Sequence, residues 1–380
     1  MIKNLLLVFV SIFISVLIVE GALRLIYTPA PLETRMNMVD AGVDGGDSTV
    51  NWDSKRLAYE PMQSATIAHV EYNNTATVDR YGFRNPCLQE PITGLLVGDS
   101  SVFGIGVDDE DTFQCVNARL GINSYTMGVP GAPPSYLIRL VEEHGKSLRE
   151  EFTFSEQFYV QYFLSLGNDF AKLAAFGNQA PPREGTESKS PESAPQGESF
   201  YEWANKLVYH DSILRFSYVL QMLKLVAITA APQCSECNYL DLRGGDRVYK
   251  KTVTDEEAER HVNALLKFMD TAAEAALKVG ATQVQFVLIR GAHIVSERRM
   301  DRELRLQGAA AEDFNLAYQS DIFTRAASQR PQITVFDSTP CLQEYPQVDD
   351  LHYQFDGHFT KTGIQTFMNC LPRPAMASTR

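Results

Sequence analysis

The chain contains 380 residues, 44% hydrophobic and 21% charged, which is an ordinary balance for one large or two smaller globular domains. Its 34 Lys and Arg residues stand against 47 Asp and Glu residues, so the formal net charge is -13. Since the sequence also lacks a basic cluster, it excludes nucleic acid as the main partner.

An apolar run from residue 5 to residue 19 follows Lys3 at the amino terminus. It is long for the core of a cleaved signal peptide and short for a membrane span of about 20 residues. We expect residues 1–24 to be an uncleaved signal anchor, a transmembrane helix that attaches the chain to the membrane. A cleaved signal peptide is the alternative. Either segment would export the remaining chain, in a bacterium to the periplasmic side of the inner membrane.

The six cysteines agree with export, because disulfides persist in oxidising compartments. The CxxC at residues 234–237 has no second CxxC and no His pair beside it, so a zinc site is not expected. Six cysteines allow many connectivities. One economical hypothesis pairs neighbours along the sequence, which gives Cys87 with Cys115, Cys234 with Cys237, and Cys341 with Cys370.

After the anchor, residues 25–77 are expected to form a polar linker and a small hairpin that turns at Asn73 and Asn74. The first strand of the main domain is the apolar run at residues 94–97. It ends abruptly in the sequence GDSS at residues 98–101, so two serines lie between the end of a strand and the start of a helix.

The rest of the main domain, residues 78–372, alternates strands with helices. Further strands are predicted at residues 123–127, 157–166, 282–289 and 333–337. Helices are predicted at residues 102–122, 134–148, 254–279, 309–329 and 361–370, and a Thr254-x-x-Glu257 capping box opens the third. This alternation predicts the α/β class, a three-layer α/β/α sandwich around a five-stranded, mostly parallel, doubly wound sheet.

Residues 170–250 interrupt the alternation and are expected to be an insertion over the carboxyl edge of the sheet. Within it, residues 180–199 are rich in Pro, Glu, Ser and Gly, a composition that indicates a surface loop. Helical segments are expected from residue 199 to about residue 231.

Polar groups and glycines follow three of the predicted strands, namely Ser100, Gly128 and Asn168, while Asp356 and His358 lie near the carboxyl terminus. The carboxyl ends of parallel strands meet at one edge of a sheet, so these groups could converge. A serine esterase needs this set: a nucleophile, oxyanion donors, a base and an acid that orients the base. Each residue also has a plain structural use, since Ser100 could cap a helix and Gly128 could serve a turn.

The blocks that carry these residues resemble those of the SGNH, or GDSL, hydrolase family. They are GDS at residues 98–100, MGVPG at 127–131, GND at 167–169 and DGH at 356–358. DRYGFRNP at residues 79–86 and VDDEDTF at 107–113 are similar to sequences of an exported, often membrane-anchored subgroup. The resemblance covers about residues 78–370 and implies a flavodoxin-like strand order.

The resemblance also implies roles for individual residues. Ser100 would be the nucleophile, and its N–H would form the oxyanion hole with the N–H of Gly128 and the side-chain amide of Asn168. His358 would be the general base, oriented by Asp356. The resemblance implies neither a cofactor nor a catalytic metal.

The last block departs from the commoner Asp-x-x-His spacing of the family, because Asp356 lies only two residues before His358. Asp349 and His352 have that commoner spacing and are therefore the alternative acid and base. We prefer His358 because HFTKTG at residues 358–363 leads into the closing helix, as the last block of the family does.

Two functional hypotheses follow. The first is an exported ester hydrolase or O-acyl transferase that acts through an acyl-enzyme on Ser100, with an acylated envelope carbohydrate as substrate or, alternatively, a lipid ester as for a lysophospholipase. The second is a non-catalytic carbohydrate-binding protein on the same fold. The presence of Ser100, Asn168 and His358 together favours the enzyme.

Overall fold

The computed structural model describes residues 11, 14–22, 52–53, 58–59, 61–62, 64–69, 71–176, 239–241, 247–306, 308–353 and 357–372. The strands are β1 (Trp52–Asp53), β2 (Ala58–Tyr59), β3 (Ser64–His69), β4 (Tyr72–Thr77), β5 (Ile92–Gly98), β6 (Ser124–Gly128), β7 (Phe154–Ser165), β8 (Tyr239–Asp241), β9 (Arg247–Lys250), β10 (Gln283–Ile289), β11 (Phe314–Asn315) and β12 (Ile333–Asp337). The labelled helices are α1 (Ser100–Phe103), α2 (Phe113–Arg119), α3 (Pro134–Glu151), α4 (Leu166–Ala174), α5 (Asp255–Lys278), α6 (Ala292–Val295), α7 (Glu297–Leu306), α8 (Tyr318–Ser328), α9 (Thr339–Gln343) and α10 (Lys361–Cys370).

The central sheet has the strand order β12-β10-β7-β5-β6, and every pair in it is parallel. This confirms the predicted five-stranded, doubly wound sheet, and the order is that of a flavodoxin-like fold. The chain passes from β5 to β6 on one side and then to β7 on the other side. Open α/β sheets bind ligands at such a switch point, beyond the carboxyl ends of the strands. The loop after β5 lies there.

The sheet is buried on both faces, which explains the near-continuous apolar runs of its strands. Leu95 and Val97 point into one core, which is closed by α3, α5 and α8. Leu96 lies between them in sequence and points into the other core, closed by α2 and α10. The helices on both faces complete the three-layer sandwich.

Local sequence signals fixed several boundaries correctly. Thr254 caps α5, because its Oγ1 accepts a hydrogen bond of 3.2 Å from the N–H of Glu257, as the capping box predicts. The strand at 333–337 and the helix at 361–370 also have their predicted bounds. Two disulfides join the expected partners, Cys87 with Cys115 and Cys341 with Cys370.

The predicted helix over residues 102–122 is wrong, because it is broken into α1, a 3-10 turn at Asp109–Asp111 and α2. Gly104 ends α1 in a left-handed conformation with φ 84°, which a glycine adopts without steric cost. The predicted helix at 309–329 is likewise shorter: α8 is preceded by the strand β11, which pairs with β9. Helices α6 and α7 lie where no element was predicted.

The hairpin of β3 and β4 does not turn at the predicted Asn73 and Asn74, because His69 pairs with Tyr72. Asn74 instead lies within β4, where it is buried and donates a hydrogen bond of 2.7 Å from Nδ2 to the carbonyl of Val107. A tertiary hydrogen bond therefore overrides the local turn preference of the two asparagines.

Three predictions fall wholly or partly outside the described residues: the loop at 180–199, the helices at 199–231 and the pair of Cys234 and Cys237. Of the segment 1–24, only residue 11 and residues 14–22 are described, and they are helical. Within the described part of the chain, no helix combines the length and the apolar character that crossing a membrane requires. The predicted anchor therefore stays a prediction.

Candidate active site

Ser100 lies immediately beyond β5, as the first residue of α1. Asp99 is buried and caps this helix, with its Oδ1 accepting a hydrogen bond of 3.0 Å from the N–H of Ser101. The hydroxyl of Ser100 is therefore not used as the cap, and Ser100 remains partly exposed. We call residues 98–107 the nucleophile segment.

The structure brings Ser100 and His358 together, although 258 positions separate them in the sequence. The Nε2 of His358 lies 2.8 Å from the Oγ of Ser100, and both residues are partly exposed. This is the distance at which an imidazole can remove the proton of a hydroxyl group. Asp356 lies outside the described residues, so its position relative to His358 remains a prediction.

His358 belongs to the short paired segment formed by residues 349–353 and 357–360, which we call the histidine segment. His352 and Phe359 form an isolated antiparallel bridge. Next to it, the N–H of Tyr353 donates to the carbonyl of His358 at 2.8 Å, and the N–H of Thr360 donates to the carbonyl of Leu351 at 3.0 Å. His358 is therefore fixed by the strand opposite it and by the cap of α10 at Thr360.

His352, the alternative base, is 5% exposed and packs its ring against that of Phe359, with centroids 4.4 Å apart. Burial, with the nearby charge of Arg299, lowers the pKa of His352 to about 3. Its proposed partner Asp349 accepts a hydrogen bond of 2.5 Å from the hydroxyl of Ser296 and pairs with Arg298 at 2.7 Å. Asp349 thus binds Ser296 and Arg298, and His352 is buried against Phe359.

Gly128 ends β6 directly opposite Gly98, so it lies beside the start of the nucleophile segment. A Cβ atom at this position would approach the backbone N of Phe103 to 2.3 Å. Only a glycine therefore allows α1 to pack this closely on the end of β6. This contact is a structural reason for the glycine, independent of any oxyanion role.

Asn168 follows the carboxyl end of β7, on the same sheet edge as Ser100, as expected. The strand runs directly into α4, whose first turn contains Asn168. Its side chain lies outside the described part of the structure. The next residue, Asp169, is buried and accepts a hydrogen bond of 3.2 Å from the N–H of Ser165. Burial, together with the charge of Asp99, raises the pKa of Asp169 well above its usual value.

Sequence reasoning missed Arg84, which is 1% exposed and holds the nucleophile segment from behind. Its Nη1 donates to the carbonyl of Gly104 at 2.7 Å, and its Nη2 donates to the carbonyl of Val107 at 2.8 Å. Its Nε donates to Asp109 at 2.8 Å, so the buried charge has a partner. The signal was present in the DRYGFRNP motif, although no local rule assigns such a role to an arginine.

Tyr353 was missed as well, and it links the two segments. Its hydroxyl donates a hydrogen bond of 2.6 Å to the carbonyl of Gly106, and its ring lies 4.7 Å from that of Tyr72 in β4. The N-terminal hairpin therefore packs against both segments of the site. Within the described ranges, no three His, Cys, Asp or Glu side chains are grouped to hold a metal ion.

Solved lipases are similar to this chain in structure at low sequence identity. A lipase/acylhydrolase from Enterococcus faecalis is 12% identical over 73% of this chain and 92% of its own, with a TM-score of 0.33. A lipase from a goat rumen metagenome is 10% identical over 73% and 95%, with a TM-score of 0.34. The chain matches no family model, and no curated protein is similar to it in sequence.

Proposed function

We propose that this protein is a serine ester hydrolase in which Ser100 is the nucleophile and His358 the general base. The observation that carries the proposal is the distance of 2.8 Å between Ser100 Oγ and His358 Nε2 at the carboxyl edge of a parallel sheet. A plain helix cap does not account for this contact, because Asp99 already caps α1.

In the proposed reaction, His358 Nε2 takes the hydroxyl proton while Ser100 Oγ forms a bond to the acyl carbon. The tetrahedral intermediate collapses as the alcohol leaves with that proton, and an acyl-Ser100 remains. Water then attacks the acyl carbon, again with His358 as base, and releases the carboxylic acid. A sugar hydroxyl in place of water would make the enzyme an O-acyl transferase.

We further propose that the backbone N–H groups of Ser100 and Gly128 and the side-chain amide of Asn168 stabilise the oxyanion. Ser100 is the first residue of α1, so its N–H has no acceptor within the helix and is available to an oxyanion. Asp356 would orient His358. These assignments come from the sequence resemblance. Ser100, Gly128 and Asn168 lie at or just beyond the carboxyl ends of β5, β6 and β7, and this placement supports the three oxyanion assignments.

We propose that the reaction takes place outside the cytoplasm, with residues 1–24 as a membrane anchor and an acylated envelope carbohydrate as substrate. The two disulfides support an oxidising compartment. A lipid ester is the alternative substrate, since an anchor would hold the site near a membrane.

The decisive test is hydrolysis of p-nitrophenyl acetate and longer p-nitrophenyl esters by the full chain, together with labelling by a fluorophosphonate. We expect turnover and one label, both lost in Ser100→Ala and retained in the matched control Ser101→Ala. A full chain that neither turns over nor takes the label would contradict the proposal and favour a non-catalytic binding protein.

A further inference from the structure

The histidine segment has one isolated bridge, one short 3-10 turn at Val348–Leu351, and no place in the central sheet. Strand pairing in the central sheet positions β5, which directly precedes Ser100, but it does not position His358. Something else must hold the backbone of this segment so that the imidazole reaches the serine hydroxyl.

Arg299 of α7 makes three hydrogen bonds to that backbone. Its Nη2 donates to the carbonyl of Asp349 at 2.5 Å and to the carbonyl of His352 at 2.9 Å. Its Nη1 donates to the carbonyl of Tyr353 at 2.9 Å. The segment thus bends around one guanidinium group, whose planar fork can serve several acceptors at once.

The anchored carbonyls are adjacent to the contacts that fix His358. Tyr353, which accepts from Arg299 with its carbonyl, donates with its N–H to the carbonyl of His358 at 2.8 Å. His352, the second acceptor, is the bridge partner of Phe359. A shift of residues 352–353 would therefore move His358 directly.

Arg299 is itself held in place. Its side chain is buried, with the residue 9% exposed, and its backbone N–H donates a hydrogen bond of 3.2 Å to the hydroxyl of Ser296. That hydroxyl in turn donates to the carboxylate of Asp349. Burial of a guanidinium is costly unless its donors are satisfied, and here they are satisfied chiefly by carbonyl groups of the histidine segment.

We propose that Arg299 is a positioning residue that holds the histidine segment in register, so that His358 meets Ser100. The inference rests on the proposed function for its kinetic readout, and on the Ser100 to His358 distance alone for its structural readout. Arg299 does not touch the reacting atoms in this arrangement, because it acts through the backbone of residues 349–353.

The kinetic test compares Arg299→Lys with Arg298→Lys in the full chain. Lysine keeps the charge at both positions but cannot donate to three carbonyls at once. Arg298 is the matched control because it is exposed and pairs with the carboxylate of Asp349, whereas Arg299 donates to backbone carbonyls. We expect Arg299→Lys to lower kcat about 20-fold or more with KM within twofold, and Arg298→Lys to lower kcat less than threefold. Equal losses in the two variants, or a loss confined to KM, would overturn the proposal.

Chemical rescue separates positioning from general damage to the fold. Methylguanidinium should restore part of the kcat of Arg299→Ala, whereas methylammonium at the same concentration should not. A variant with unchanged melting temperature and no rescue would contradict the proposal. If neither Arg299 variant folds, Ser296→Ala provides the second test: it removes the hydroxyl that holds both Arg299 and Asp349, and we expect kcat to fall about fivefold.

Crystal structures of wild type and Arg299→Lys give the readout that needs no activity. We expect the Ser100 Oγ to His358 Nε2 distance to lengthen beyond hydrogen-bonding range in the variant. An unchanged distance overturns the positioning role even if the chain hydrolyses esters. Conversely, a lengthened distance in a chain that has no esterase activity and takes no fluorophosphonate label would refute the proposed function alone.

Discussion

The nucleophile segment directly follows a strand of the central sheet, whereas the histidine segment has no strand in that sheet and combines buried apolar residues with polar contacts. Gly98 pairs with Gly128, and Val102 and Phe103 are almost fully buried. Residues 349–353 and 357–360 bury Leu351 and Phe359 in the core, and their backbone is further held by Arg299, by the Tyr353 hydroxyl and by one isolated bridge. The serine is thus placed by the fold itself, and the base is placed by side chains that can be changed one at a time.

The largest effect should come from removing either reacting group. Ser100→Ala and His358→Ala should each lower esterase kcat by on the order of 10³-fold or more, and the double variant should be little worse, because the two groups act as a unit. Steady-state kinetics with p-nitrophenyl acetate would measure this. A fully additive double variant would show that the two side chains do not act on the same step.

The nucleophile segment should be broken by a change in packing. Gly128→Ala places a Cβ atom 2.3 Å from the backbone N of Phe103, so α1 must shift. We expect a loss of about 1–3 kcal/mol in the free energy of unfolding and a fall in kcat on the order of 10²-fold. Urea unfolding and kinetics would test both.

The control for that prediction is Gly121→Ala in the turn before β6. Its Cβ atom would meet nothing within 4 Å, so only its left-handed φ of 77° opposes the change. It should cost about 1 kcal/mol of stability and leave kcat unchanged. If Gly128→Ala behaves like Gly121→Ala, the close contact between α1 and β6 is not needed for the site.

A smaller effect is expected where the two segments meet. Tyr353→Phe removes the hydrogen bond to the carbonyl of Gly106 but keeps the ring that packs against Tyr72. One hydrogen bond contributes about 1 kcal/mol, which corresponds to a fall in kcat of about fivefold. The control is Tyr345→Phe, at a residue that packs against the core between the sheet, α2 and α10. Similar kcat values for the two variants would show that the link does not matter.

His352→Leu should lower activity less than tenfold, and its main expected effect is on how stability depends on pH. Burial, with the charges of Arg299, His358 and His293, lowers the pKa of His352 to about 3. The unfolded chain has a histidine pKa of about 6.5, so below that pH it takes up a proton that the folded protein does not. The free energy of unfolding should therefore fall as the pH drops from about 6.5 toward about 3.

This contribution has a maximum slope of about 1.4 kcal/mol per pH unit and vanishes above about pH 6.5. Urea unfolding of wild type and His352→Leu at pH 7, 6 and 5 would measure the contribution of His352. Other titrating groups contribute equally to both proteins, so the difference between the two curves isolates this histidine. Parallel curves would mean that His352 is protonated in the folded state. An inactive His352→Leu variant together with an active His358→Ala variant would mean that His352, and not His358, is the base.

The sequence by itself determined the elements whose signals are local. The apolar run at 94–97 gave a buried strand, the Thr254 box gave the start of α5, and the GDS block placed Ser100 at the end of a strand. Periodicity and capping depend on neighbouring residues, so one sequence is enough to read them. The order of the five central strands along the chain followed from the same signals.

Only the tertiary structure decided which elements give way to distant contacts. Asn74 lies in a strand instead of a turn, where it donates a hydrogen bond to the carbonyl of Val107. GND at 167–169 lies in α4, and the next residue, Phe170, packs among the rings of Tyr249 and Tyr318. The choice between His352 and His358 was of the same kind. Both histidines have a nearby acid in the sequence, and what separates them is burial of one and a contact of the other with a serine 258 positions away. Spacing cannot encode that difference, because it depends on how the closing segment packs against the sheet.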